Sequence, residues 1–372
     1  MKIPPFNLER FFAQYEFSAP YLLCASDCES MSLADLLALE PGAEDAFRQV
    51  WLGYTESPGS PALRAEIAQL YTQIAPEDVL VFAGAEEAIF IFMNVALQPG
   101  DHLVVHFPGY QSLYQVAEAL GCEVTRWQGD PAHGWALDPE ALRRSLRPNT
   151  RAVVINCPHN PTGYLMDRAT QAAIVDIVRE RGLLLFFDEV YRGLELDPAD
   201  RLPAACDLYE NAVSLGVMSK TYGLAGLRLG WIATRSRALY AAMAAFKDYT
   251  TICTAAPSEF LSALALRQRE RIAARNLDLI RLNLDTLDAF FARYPAAFDW
   301  QRPKAGSVAF PAYRLGDVDA FCHDLAERQG VLLAPGRNFD FGGGRFRIGF
   351  GRRNVPDAVA RLDTYMQTKG RV

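Results

Sequence analysis

The sequence predicts an α/β protein, with a mostly parallel seven-stranded sheet, helices on both faces, and a smaller α+β unit after it. Three observations carry that expectation. Apolar runs recur at 79–83, 103–107, 123–127, 152–157, 183–187, 212–218 and 229–233, and most are continuous, as strands covered on both faces require. Helical periodicity at 85–96, 113–120 and 171–181 separates several of them, the rhythm of βαβ units. Beyond about residue 255 the rhythm stops. Residues 258–294 read as long charged helices, and three short strands follow at 307–314, 331–334 and 345–350.

The expected division is an arm over 1–45 that packs with the small domain, a large domain over 46–255 and a small domain over 256–372. The arm shows no strong period, apart from a short helix over 32–39 with Leu33, Leu36, Leu37 and Leu39 apolar. Residues 24–30 read as a polar loop. A turn-rich stretch from Gly53 to Arg64 then opens an amphipathic helix that runs to residue 71. Tyr54 within it is, by itself, as well read as a packing aromatic.

Composition narrows the function. Half of the 372 residues are hydrophobic, enough for a large core. The net charge of −7, with no long run of one sign, argues against a nucleic-acid surface. No apolar run reaches membrane-spanning length, and the start MKIPPFNLERFF lacks the pattern of a secretion signal, so a cytoplasmic protein is expected. Seven scattered cysteines include no CxxC pair, and the five histidines form no HExxH pattern, so no metal site is expected.

Chemistry is expected at the carboxyl ends of the strands, where open α/β sheets bind ligands. Gly84, Ala85 and Glu86 open the 85–96 helix, whose free backbone N–H groups suit an anion. Pro108, Gly109 and Tyr110 end the second run. The fourth ends in Asn156, Cys157, Pro158, His159, Asn160, Pro161, Thr162 and Gly163, ordinary turn residues when taken alone. Asp188 closes an apolar strand, an expensive place for a carboxylate without a cation. Glu189 should face the other way, and Tyr191 lies three residues on from Asp188. Lys220 stands between two apolar runs, where scarce water lowers its pKa and frees the amine to attack a carbonyl. Arg347 lies between Phe346 and Ile348, with Arg345, Arg352 and Arg353 as rivals.

Ser219, Lys220, Gly223, Gly226 and Arg228 resemble the lysine signature of the class I/II aminotransferases, enzymes of fold type I that depend on pyridoxal 5'-phosphate (PLP). The other motifs follow that family's order from Tyr54 to Arg347. The resemblance implies that Lys220 forms the Schiff base and that Asp188 pairs with the pyridine nitrogen. Asn160 and Tyr191 would bond the phenolic oxygen, and Tyr110 would stack on the ring. Gly84, Ala85, Glu86, Ser219 and Arg228 would hold the phosphate, helped by Tyr54 from the partner of a homodimer. Arg347 would clamp the substrate α-carboxylate. One position departs from the pattern: Val217 stands where the family usually has Ser, Thr or Gly, so a phosphate contact must come from elsewhere.

The implied activity is amino-group transfer from an L-amino acid to a 2-oxo acid with ping-pong kinetics. The arm and the 219–228 stretch also resemble capreomycidine-synthase-like lyases or cyclases, which close a ring on an arginine derivative. Asp27, Glu29 and Asp248 are candidate carboxylates for such a cationic side chain, and Trp51, Tyr21 and Tyr249 are candidates to line the substrate pocket. A regulator built on this fold would carry a DNA-binding domain ahead of it. The Tyr54 motif starts too early for that, and the charge is acidic.

Overall fold

The computed structural model describes residues 2–369. Its main sheet has seven strands: β1 (Val79–Phe82), β2 (His102–Phe107), β3 (Glu123–Gln128), β4 (Thr150–Asn156), β5 (Leu184–Asp188), β6 (Ala212–Val217) and β7 (Gly230–Ala233). Their order is β1-β7-β6-β5-β4-β2-β3. Every neighbouring pair is parallel except the two that β7 makes, with β1 and with β6. β1, β2, β6 and β7 are buried along their whole length, which is why their sequences do not alternate.

Two apolar clusters cover the faces of the sheet. One gathers Phe82, Phe92, Val105, Phe186 and Leu215 under the helix Ala85–Ala96. The other gathers Val104, Ile155, Phe187, Ile174 and Val178 under the helix Arg168–Glu180, which starts where the Asp167 carboxylate accepts the Thr170 N–H (2.7 Å). Register then decides what meets at the sheet's edge. Asn156 pairs with Asp188 across β4 and β5, so both polar side chains emerge together at the carboxyl ends.

The carboxyl-terminal part holds the helices Ala256–Arg267 and Arg269–Arg293 and two small antiparallel sheets. One sheet pairs β8 (Phe298–Asp299) with β10 (Ala312–Tyr313); the other orders β11 (Ala334–Pro335), β12 (Phe346–Gly349) and β9 (Val308–Ala309). The single strand expected at 307–314 is therefore two strands in different sheets, with Pro311 in the break between them. The strand at 298–299 was not expected from the sequence. The Pro61 helix also ends sooner than expected, at Ala68.

The arm has more structure than its sequence announces. Residues Asn7–Tyr15 form a helix, α1, of which only Leu8 is buried. Phe6, Phe11, Phe12 and Tyr15 pack against Leu332, Ala334 and Phe339, and Tyr21 bridges in parallel to Val331. Leu8, Phe11, Phe12 and Tyr15 recur at helical spacing, which corrects the expectation of an arm without a period before residue 32. Farther on, the helix Leu33–Leu37 begins at a capping box of Ser32 and Asp35, and its leucines join the cluster around the helix Ala256–Arg267.

Candidate active site

The sheet's carboxyl edge and the arm enclose a cavity of about 580 Å³. Asp188, Asn160, Tyr191, Lys220, Tyr110 and Arg228 all reach it, together with Ala85, Glu86 and Ser219. Asp188 is only 5% exposed, and among the described residues no basic side chain forms an ion pair with it. Its Oδ1 accepts the Val190 N–H at 3.2 Å, which does not offset the loss of water: burial pushes the carboxyl up to about 7. Glu189 points away, as expected, and its carboxylate accepts from Ala205 N–H (2.8 Å) and the Ser214 hydroxyl (3.1 Å).

Asn156 ties the polar edge together. Its Nδ2 donates to the Asp188 carbonyl (3.0 Å), and its Oδ1 accepts the Asn160 N–H (2.7 Å). Beneath it, His106 stacks on His159 with centroids 3.6 Å apart and bonds the Asn156 carbonyl at 3.1 Å. Burial holds both imidazoles in the neutral form, His106 at about 3. The turn that carries Asn160 thus rests on an uncharged, close-packed base.

Arg347 is 1% exposed. Its Nε and Nη2 donate to the Cys24 carbonyl (3.1 and 2.8 Å), and its Nη1 donates to Asn160 Oδ1 (3.1 Å). Phe12 and Phe339 lie against the guanidinium, and among the described residues no carboxylate pairs with it. A buried cation with no counter-charge is costly, and an anion arriving beside it would relieve that cost. The rival Arg352 lines the cavity but is held by Asp27, with contacts of 2.9 and 3.0 Å.

The anion cradle lies at the other end of the cavity. A Cβ added to Gly84 would come within 3.0 Å of Arg228 Nη2, and one on Gly230 within 2.8 Å of the Gly84 carbonyl carbon. Glycine at both positions lets the guanidinium and β7 close on the turn that opens the Ala85–Ala96 helix. Arg228 itself sits in the left-handed region (φ 49°), a strained conformation for a side-chain-bearing residue and of the kind found at ligand sites. Ser219 joins this end, while Val217 offers only methyl groups.

Lys220 opens onto the cavity, yet its amine lies deep enough that burial lowers its pKa; Asp27 acts the other way, and Arg347 adds to the lowering. Its Nζ lies 2.8 Å from Ser26 Oγ. The Tyr191 hydroxyl is buried without a hydrogen-bond partner.

These features fit PLP. An orphaned phenol beside Asn160 suits the phenolic oxygen, the unpaired buried carboxylate suits a protonated pyridine nitrogen, and the glycine cradle with Arg228 suits a phosphate. A family model, aminotransferase class I and II, matches residues 23–362. The chain belongs to that family. It is a PLP-dependent aminotransferase, similar to the capreomycidine synthase of Streptomyces vinaceus (30% identical over 99% of this chain and 95% of that protein). It also resembles a PLP-dependent aminotransferase from Streptococcus suis 89-1591 (32% identical, TM-score 0.93, 99% of both chains). A third similar protein is the PLP-dependent cyclase OrfR (27% identical, TM-score 0.89, 100% of this chain and 99% of that one).

Some expected residues lie elsewhere. Trp51 and Tyr249 are 85% and 89% exposed and do not line the cavity, and Tyr21 is occupied with Val331. Tyr54 is 93% exposed, also outside this chain's own cavity. Glu29 accepts the Arg353 N–H (2.9 Å) and Asp248 the Ser57 hydroxyl (3.4 Å), so neither faces the site. The carboxylates that do, besides Asp27 and Asp188, are Glu9 and Glu16 of the arm and Glu86. Burial raises Glu16, and Glu9 raises it further. The spacing 9, 12, 16 was the available signal, since one helical face carries Glu9, Phe12 and Glu16.

No helix among the described residues is long and apolar enough to cross a membrane.

Proposed function

We propose that this aminotransferase moves an amino group from an L-amino acid to a 2-oxo acid in two half-reactions at the 580 Å³ cavity, with Lys220 as the proton carrier. The observation that carries the reading is the convergence of a pKa-lowered Lys220, an unpaired Asp188 and an orphaned Tyr191 hydroxyl on one cavity. When bound, PLP supplies the electron sink that makes the substrate Cα–H acidic. The chain's residues do the rest. Asp188 holds a proton on the pyridine nitrogen, and Asn160 and Tyr191 bond the phenolic oxygen. Tyr110 covers the ring. The N–H groups of Gly84, Ala85 and Glu86, with Ser219 and Arg228, take the phosphate. Arg347 takes the α-carboxylate, while α1 closes the cavity against water. Lys220 would take the Cα proton onto its Nζ and then give it up again, carrying it across the substrate nitrogen.

Two further parts of the reading concern assembly. The arm over 1–45, the large domain over 46–255 and the small domain over 256–372 are the working units. A homodimer would cover Trp51, Leu52, Tyr54, Tyr249 and Ile252, which are exposed on two segments joined by the Thr55–Thr254 hydrogen bond (2.8 Å), and would bring Tyr54 to the partner's phosphate end.

A second reading, elimination or cyclisation of an arginine-like amino acid, is favoured by Glu9, Glu16 and Asp27 on the cavity wall, where a cationic side chain would find counter-charge. One experiment separates the two. The PLP-loaded enzyme is mixed with single amino acids, arginine and hydroxyarginines included, without any oxo acid. Release of one 2-oxo acid per site, halting until an oxo acid is added, supports transamination. Continued turnover without an oxo acid overturns it in favour of the second reading.

A further inference from the structure

The segment 25–29 looks like an unremarkable polar loop in the sequence, but the fold builds a trough for it from three glycines. A Cβ on Gly349 would lie 1.9 Å from the Ala25 carbonyl oxygen, one on Gly351 2.4 Å from that of Asp27, and one on Gly223 2.7 Å from that of Glu29. No side chain of any size fits at these positions while the segment stays in place. Backbone bonds fix it further: Gly349 N–H donates to the Leu23 carbonyl (2.9 Å) and Glu29 N–H to the Gly351 carbonyl (2.7 Å). The Ser307 hydroxyl donates to the Ser26 carbonyl (2.7 Å), and Cys24 and Cys28 are fully buried on either side. Ser26 is thereby held rigidly, with its hydroxyl 2.8 Å from Lys220 Nζ. Gly223 follows Lys220 by three residues, so the lysine loop and the arm segment are packed as one unit.

We propose that Ser26 is a catalytic residue, whose hydroxyl holds the Lys220 amine and sets the direction in which that amine takes and gives a proton; this rests on Lys220 being the reacting lysine of the proposed function. Ser26 Oγ accepts one N–H of the neutral amine, which aims the lone pair away from the arm. In the step itself the substrate Cα–H bond breaks and an N–H bond forms at Nζ, with the electron pair of the broken bond left on carbon. The amine becomes an ammonium, and its bond to Ser26 becomes charge-assisted and stronger, so the hydroxyl helps most once the proton has moved. The charged groups that act on Lys220 are Asp27 and Arg347, then Asp188 and Glu9. Asp27 is the neighbour of Ser26 in the same segment, already bound to Arg352, so the arm delivers both the hydroxyl and the nearest counter-charge.

The test uses the PLP-loaded enzyme as wild type, Ser26→Ala, Ser26→Thr and Lys220→Ala. Three quantities are measured: exchange of the substrate Cα proton with deuterated water, the isotope effect of Cα-deuterated substrate in a single turnover, and the pH titration of the cofactor's visible absorbance. For Ser26→Ala, exchange should slow about 10- to 100-fold, as for loss of one hydrogen bond to a charged group. Its isotope effect should rise, its absorbance titration should shift, and its KM should stay near wild type. Ser26→Thr, which keeps the hydroxyl, should recover most of the rate. Wild-type exchange and isotope effect in Ser26→Ala overturn the role of Ser26. So does a loss confined to KM, which would mark a purely structural segment. If instead Lys220→Ala keeps its exchange rate, the assignment of Lys220 itself fails, a distinct outcome from either.

Discussion

The strand-end wall and the arm that roofs the cavity are built on opposite principles. On the wall, Asp188 ends a buried strand and Asn160 and Lys220 follow strands within four residues, so sheet register and the short turns set their separation. On the roof, Glu9, Glu16, Ser26 and Asp27 come from a stretch with one nine-residue helix and little regular structure. Their positions depend on fitting into surfaces made by residues more than two hundred places away, such as Gly349 and Gly351. The wall therefore holds the residues proposed to act on the cofactor, and the roof those proposed to meet the substrate side chain. A strand end cannot move without disturbing the sheet, whereas an arm can be re-cut by a few surface changes.

If that division is right, the largest effect should come from the wall. Asp188→Asn removes the charge assigned to the pyridine nitrogen, and kcat should fall about 10³-fold, a typical size for the loss of one preorganised electrostatic group, with substrate KM little changed. Steady-state kinetics with cofactor saturation checked by absorbance would show it. A variant within a few-fold of wild type would break the assignment.

Next in size is a pH effect on the cofactor-free protein. Burial raises the Asp188 carboxyl from an ordinary 3.8 to about 7, so the folded chain keeps this proton after the unfolded chain has released it. The stability it contributes is complete below pH 4 and is lost as pH rises through 7. At about 1.4 kcal/mol per pKa unit, the part of the loss that falls between pH 4.5 and 8 is of order 3 kcal/mol. Urea titrations at pH 4.5 and 8 should show wild type losing more stability than Asp188→Asn, and equal losses would contradict the burial argument.

A roof change should cost less. Gly349→Ala drives a methyl group into the Ala25 carbonyl, and overpacking of this kind costs about 2 kcal/mol. The arm should lift, hydrogen exchange in 22–30 should rise, and the main sheet should stay protected. Global unfolding without selective arm exchange would show that wall and roof are one unit after all. The smallest effect sharpens specificity. Glu9→Gln with Glu16→Gln should raise KM for cationic amino acids roughly 30-fold, as for lost hydrogen bonds to a charged group, and leave neutral ones unchanged. An equal change for both classes would remove the arm from side-chain recognition.

What the sequence could and could not show follows the same line. Asp188 and Lys220 stood out because each ends or closely follows a continuous apolar run, whereas the roles proposed for Asn160 and Tyr191 came from the family resemblance, their turns being ordinary when taken alone. The helix 85–96 was legible from its period, and Gly84 from the turn before it. The part played by Glu9 and Glu16 was not: Leu8, Phe11, Phe12 and Tyr15 recur at helical spacing and mark the helix, but nothing local shows that its carboxylates look onto a cavity rather than onto water. Asp27 was suspected, but Glu29 and Asp248 looked equally good, and only three-dimensional placement separates them.

By itself, then, the chain determined the seven strands, their mostly parallel arrangement and the residues at their ends, since those depend on local hydrophobicity and on backbone hydrogen bonds that must be met wherever water is excluded, whereas the two antiparallel pairs of β7 emerge only in the fold. Tertiary structure alone decided which hydroxyl meets Lys220, which carboxylates line the cavity and what surrounds Arg347 in the interior. Each of these is a contact between segments brought together by close packing, and the trough of Gly223, Gly349 and Gly351 is visible as a trough only once Ala25 to Glu29 lie in it.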